Sequence, residues 1–163
     1  MTTATTTFQV TPLPAEMFAE LATLSPAELE ARGVRRVVAD SKPGFPCRVS
    51  LRDAEPGEPL WLLHHVHHDV PGPYRASGPI YVREQAVTAT PAPGEIPEML
   101  RHRLLSLRAY DTHGMLLAAE VCDGSELEPV VTRLFADPIV AYVHAHNARP
   151  GCFNCRIDRV SVG

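Results

Sequence analysis

Ile139-Val140-Ala141-Tyr142-Val143-His144-Ala145-His146-Asn147, then Ala148-Arg149-Pro150-Gly151, then Cys152-Phe153-Asn154-Cys155-Arg156-Ile157-Asp158-Arg159-Val160: this stretch decides how the sequence is read. Two runs, 139–147 and 153–160, flank a Pro-Gly turn in the pattern of an antiparallel hairpin. Successive side chains of a strand point to opposite faces. Val143, Ala145, Phe153, Cys155 and Ile157 are therefore expected on one apolar face, with Tyr142, His144, His146, Asn154, Arg156 and Asp158 on the other. A register shift of one residue would push Arg156 and Asp158 among valine and phenylalanine, at a cost on the order of several kcal/mol for charges without full compensation.

Working outward, Leu127, Val130, Val131, Leu134 and Phe135 fall at helical spacing, with Asp123 or Ser125 as a cap and Asp137-Pro138 as a stop. Leu104 to Tyr110 and Met115 to Cys122 form a second hairpin around Asp111-Thr112-His113-Gly114. Pro46 to Leu51, Leu60 to His67 and Pro79 to Arg83 read as strands, and Pro97 to Arg101 as one helical turn. Near the start, Pro14 to Leu24 reads as a helix. Ser25-Pro26-Ala27-Glu28 is a capping box opening a second, which Gly33 stops. The expectation is α+β: one domain over 8–163 after a frayed tail 1–7. It has a mainly antiparallel sheet, two N-terminal helices, and one helix between two C-terminal hairpins.

The composition fits one such domain. The chain has 163 residues, 45% hydrophobic and 21% charged, which excludes wholesale disorder. A net charge of −4 and a pI near 6.0 leave no global field for nucleic acid. No apolar run approaches the ~18 residues of a membrane helix. Neither a basic segment nor an apolar core of a leader is visible at Met1 to Val10, so a cytoplasmic location with reduced cysteines is expected. Lys42 stands against fourteen arginines, so nearly every cation is a planar guanidinium suited to carboxylate or phosphate.

Four groups of residues could carry chemistry. His64-His65-Val66-His67-His68 on a strand places His65 and His67 on one face. With His144 and His146 they form a set suited to zinc, copper or iron. Cys152-Phe153-Asn154-Cys155 has the spacing of a zinc or redox motif. On a strand, however, residues three apart diverge, so no structural zinc is expected there. The polar face of the last hairpin collects imidazole, guanidinium, amide and phenol groups, with His144 and His146 as candidates for acid–base work. Arg48 and Arg75, on stiff proline- or glycine-bearing loops, are candidates for an anion, with Asn147 and Arg156 beside them. Phosphate-loop, dinucleotide and nucleophile-elbow motifs are missing.

Arg36-Val37-Val38-Ala39-Asp40, Pro46-Cys47-Arg48-Val49-Ser50-Leu51, Pro73-Tyr74-Arg75-Ala76-Ser77-Gly78-Pro79-Ile80-Tyr81-Val82-Arg83 and His144-Ala145-His146-Asn147 through Gly151-Cys152 resemble a bacterial family, domain of unknown function 1203, over about Phe8 to Arg159. The resemblance implies a single-domain cytoplasmic protein and carries no activity, cofactor or catalytic residue with it. The functional expectation from the residues is binding of a small anionic molecule through Arg and His, and, if the protein is an enzyme, a His acid or base. The alternatives are a His-based metal site using His65, His67, His144 and His146, or an interaction module such as a homodimer through its sheet.

Overall fold

Eight strands form two antiparallel sheets in the computed structural model, which describes residues 4–163. In chain order the elements are β1 (Thr5–Thr11), a 3-10 helix (Ala15–Thr23), α1 (Pro26–Ala31), β2 (Arg35–Val38), β3 (Pro59–His68), β4 (Ala76–Arg83), α2 (Glu98–Arg101), β5 (Leu104–Tyr110), β6 (Leu116–Asp123), a 3-10 turn (Gly124–Glu126), α3 (Leu127–Phe135), β7 (Tyr142–Asn147) and β8 (Phe153–Val162). The α+β class is as expected. The strands divide between two sheets, β1-β8-β7-β5-β6 and β2-β3-β4.

Of the expected tail 1–7, Met1 to Thr3 lie outside the described residues, while Thr5 to Thr7 belong to β1 and pair with Val162 to Val160. The expected strand Pro46 to Leu51 is instead a turn. Only Pro46 and Cys47 make bridges, to Asp53 and Tyr81, and Leu51 takes a left-handed φ of 52° as its N–H returns to the Cys47 carbonyl. The first expected helix is wound as 3-10, with Phe18 and Leu21 buried. In α1 the Ser25 hydroxyl accepts the Glu28 N–H at 3.2 Å, the capping contact its sequence calls for.

The larger sheet buries one face as a hydrophobic core. Leu105, Leu107 and Ala109 of β5, Val143 and Ala145 of β7, and Cys155 and Ile157 of β8 pack with Leu127, Val130, Val131 and Leu134 of α3. Gly124 makes this packing possible where α2 crosses the 3-10 turn. A Cβ there would stand 1.6 Å from the Leu100 carbonyl oxygen. A second core, around Trp61, Ile80, Val82 and Phe18, joins the smaller sheet to the 3-10 helix.

Candidate functional site

Two β-bulges set the geometry of the candidate site. In β8, Ala145 pairs with Cys155, but His146 pairs with Phe153, so Asn154 is the extra residue. The bulge reverses the expected alternation beyond Cys155. Phe153 turns onto the face of Tyr142, His144 and His146, its ring centroid 5.0 Å from that of His144 and 5.8 Å from that of His146. Asn154 leaves that face, and its Nδ2 donates to Asn147 Oδ1 at 2.8 Å. The remainder of the hairpin keeps the expected faces, with Arg156 over the Tyr142 ring at 4.2 Å.

The second bulge lies between His65 and His68 of β3, where three residues of β3 span two of β4. It breaks the period of two, so the consecutive His67 and His68 both meet the β7–β8 hairpin. His67 stacks on Phe153 at 5.1 Å and lies 5.0 Å from His146 and 6.2 Å from His144. His68 lies 5.1 Å from His144 and 4.1 Å from Tyr110. The expected set is corrected accordingly: His65 rests edge-on against Phe18 at 6.2 Å, and His68 takes its place beside His67, His144 and His146.

The polar face expected on the last hairpin is thus buried between two sheets. His144 and His146 are 2% and 1% exposed. Burial, then the neighbouring histidines and Arg156, drives His144 down to about 2. Burial also lowers His146 to about 4, opposed by its bond to Gly151 and reinforced by Arg108 and Arg48. Burial and His146 lower the half-buried His67 to about 4. All three are neutral at pH 7. Carbonyl partners fix two tautomers, because a carbonyl can only accept. His68 Nδ1–H donates to Tyr74 O at 2.8 Å, so its Nε2 accepts the Tyr142 hydroxyl at 2.6 Å. His146 Nδ1–H donates to Gly151 O at 3.0 Å, which leaves a lone pair on Nε2. That Nε2 is buried without a partner, as are His67 Nδ1 and His144 Nδ1.

On the other side of the hairpin end, a cleft of 440 Å³ is lined by Arg48, His102, Arg103, Asn147, Arg149 and Cys152, among others. Arg48 is 1% exposed. Its Nε donates to Phe153 O at 2.8 Å, its Nη1 to Pro46 O at 2.5 Å, and its Nη2 to Cys152 Sγ at 3.3 Å. Asn147 Nδ2 points at the same sulfur from 3.4 Å. Burial lowers the Arg48 pKa, a shift opposed by Cys152. Behind the wall, Arg103 grips the buried Asp53 through both oxygens, at 2.6 and 2.9 Å, with His102 at 3.2 Å. Burial pushes the Asp53 carboxyl up, but Arg103 outweighs it and holds the group below its ordinary range.

Of the four residues expected to bind an anion, Arg48 and Asn147 meet in this cleft. Arg75 instead pairs with Asp69 at 3.3 Å, and Arg156 with Asp158 at 2.8 Å, each on the surface and outside the cleft. His144 and His146 do not line it either. Arg149 was missed although it sits on a stiff turn, Ala148-Arg149-Pro150-Gly151, by the same logic that singled out Arg48. No local signal marks Arg103 or Tyr110, whose roles depend on residues distant in sequence. All four cysteines are free, with Cys155 in the apolar core, where burial raises its thiol to about 12, and Cys152 turned to the cleft.

The profile of the family described as protein of unknown function (DUF1203) matches residues 44–159. The chain belongs to this family. The matched DUF1203 segment contains both bulges, the histidine cluster and every cleft residue named above. No curated protein and no solved structure gives a significant match. Among the described residues, no helix is long and apolar enough to cross a membrane.

Proposed function

We propose that this DUF1203 protein binds a small anionic molecule, one bearing a phosphate or carboxylate group, in the cleft of Arg48, Asn147, Arg149 and Cys152. The observation that carries this reading is Arg48. A guanidinium 1% exposed forms no ion pair with a carboxylate among the described residues, and its Nη2 is directed to the cleft wall at Cys152. A buried charge without a counter-charge is costly, and an anion in the cleft would relieve that cost. Arg149, exposed at the rim, supplies a second guanidinium suited to bidentate contact. The cleft volume of 440 Å³ lies within the range of small-molecule sites. His144 and His146 lie on the opposite face of β7 from Asn147, so the reading is one of binding rather than acid–base chemistry by those two imidazoles.

Thermal unfolding at fixed ionic strength, with inorganic phosphate, pyrophosphate and citrate as probes, tests it. At least one probe is expected to raise Tm saturably and to slow alkylation of Cys152 by iodoacetamide. Both effects should disappear in Arg149→Ala, whose own Tm should be unchanged. If all three probes leave Tm and alkylation unaltered, or if Arg149→Ala responds as the parent does, the reading fails.

A further inference from the structure

We propose that Cys152 is a site of mixed-disulfide formation that selects small disulfides bearing carboxylate groups. The selectivity rests on the anion-binding reading of the cleft and adds a covalent step to it. The chain carries a net charge of −4, yet the residues lining this cleft include Arg48, Arg103 and Arg149 and no carboxylate. Arg103 is neutralised from behind by Asp53. Arg48 and Arg149 have no carboxylate partner among the described residues. The one cysteine that lines the cleft therefore lies in a local positive field, which attracts anionic reactants.

The turn that closes the last hairpin holds the sulfur in place. The Asn147 N–H donates to the Cys152 carbonyl at 2.9 Å, and the Gly151 N–H to the Asn147 carbonyl at 2.8 Å. Gly151 takes a φ of 83°, a left-handed conformation that suits glycine. Cys152 Sγ then receives Arg48 Nη2–H at 3.3 Å and Asn147 Nδ2–H at 3.4 Å. Both nitrogens only donate, so the sulfur meets them with its lone pairs. Arg48, 1% exposed, uses three of its five N–H groups, on Phe153 O, Pro46 O and this sulfur. The other two have no acceptor among the described residues. A buried cation with open donors thus stands beside the nucleophilic atom, where it can serve an anionic reactant.

The other cysteines set Cys152 apart. Cys47 and Cys155 are 0% and 1% exposed and closed to reagents. Cys122, partly exposed on β6, has the opposite surroundings: burial, then Glu120, Asp123 and Glu126, raise the pKa of its thiol. The two accessible cysteines therefore differ in the sign of the charge around them. The reaction is thiol–disulfide exchange. The Cys152 thiolate attacks one sulfur of R–S–S–R, the new bond is Cys152 Sγ–S–R, and the second half leaves as R–S⁻ and takes a proton from solvent. The small disulfide is the oxidant. One of its halves is released as the reduced thiol while the Cys152 sulfur is oxidised, and no further reactant is needed. A carboxylate on the bound half is the group that Arg149, exposed at the rim, is suited to hold.

The test sets glutathione disulfide, which carries carboxylates, against cystamine, whose only charges are ammonium groups, on the full chain near neutral pH and at low ionic strength. Peptide mass spectrometry assigns each adduct to Cys152 or Cys122. Dividing the Cys152 rate by the Cys122 rate cancels the intrinsic reactivity of each reagent. That ratio should be at least about tenfold higher for glutathione disulfide than for cystamine. Because Cys122 itself lies among acids, Arg149→Ala decides which site makes the difference. It should remove most of the preference by slowing glutathione disulfide at Cys152, with both rates at Cys122 unchanged. Equal ratios for the two reagents, or no glutathionyl adduct at Cys152, overturn the proposal. So does a preference that survives Arg149→Ala intact. The Tm response of the same preparation to phosphate, pyrophosphate and citrate tells two failures apart. If that response persists without the charge preference, only the exchange reaction is wrong. If both are absent, the anion-binding reading falls with it.

Discussion

The two faces of the β5-β7-β8 sheet are both buried, yet they are held by different forces. On one, Leu105, Leu107, Val143, Ala145 and Ile157 meet α3, and the buried apolar side chains gain by leaving water. On the other, His144, His146, Tyr110 and Tyr142 meet His67 and His68, and three ring nitrogens remain without partners. The same strands thus carry a stabilising face and a face that gives up stability for unsatisfied polar groups.

Acid should weaken the histidine face far more than the apolar one. In the folded chain His144 and His146 are held near 2 and 4, below the ordinary 6.5 they regain on unfolding. Between pH 6.5 and about 4 the unfolded state therefore binds more protons, and stability falls as pH falls through that window. Each extra proton changes stability by about 1.4 kcal/mol per pH unit. Denaturant unfolding from pH 8 to about 4.5 should show a plateau above the ordinary histidine range and a steep loss below it. His144→Leu should flatten that loss. A flat profile in the parent chain would show that the polar face is not buried in neutral form.

Next in size is the apolar face. Leu107, fully buried, should lose about 2–5 kcal/mol on replacement by Ala, independently of pH. Chemical denaturation at pH 5 and pH 8 checks both the size and the independence. Tyr142→Phe removes the hydroxyl that donates to His68 Nε2 and should cost about 1 kcal/mol, with the sheet otherwise intact. An unchanged midpoint would mean that water replaces this bond. The smallest effect belongs to Arg75→Ala. Its partner Asp69 and the arginine itself are largely exposed, so stability should move by no more than about 0.5 kcal/mol. Since Arg75 lies outside the cleft, anion binding should stay as it was.

Much of the fold was legible in short patterns. The helix over Leu127 to Phe135 follows its apolar spacing, the Ser25 cap forms, and the hairpin from Leu104 has the expected strands within a residue or two. The apolar side of the last hairpin also follows from alternation, except at Phe153. Strand β1 was less visible, because Thr5 to Thr7 gain their order by pairing with residues more than 150 positions away. In the cleft, Arg48 and Asn147 came together as candidates on local grounds. Arg75 and Arg156 did not join them, because a nearby carboxylate is the cheaper partner for an exposed guanidinium.

By itself, then, the sequence determined the α+β class, the α3 face, the hairpins and a store of histidine and arginine, since these depend on periodicity and turn chemistry within a few residues. Tertiary structure alone decided that the strands divide into two sheets and that His67 and His68 come to lie against His144 and His146. It also placed Phe153 among them in place of Asn154. The physical reason is the pair of bulges. One extra residue in β3 and one in β8 reverse a strand's alternation, and where the extra residue is accommodated depends on packing between segments far apart in the chain.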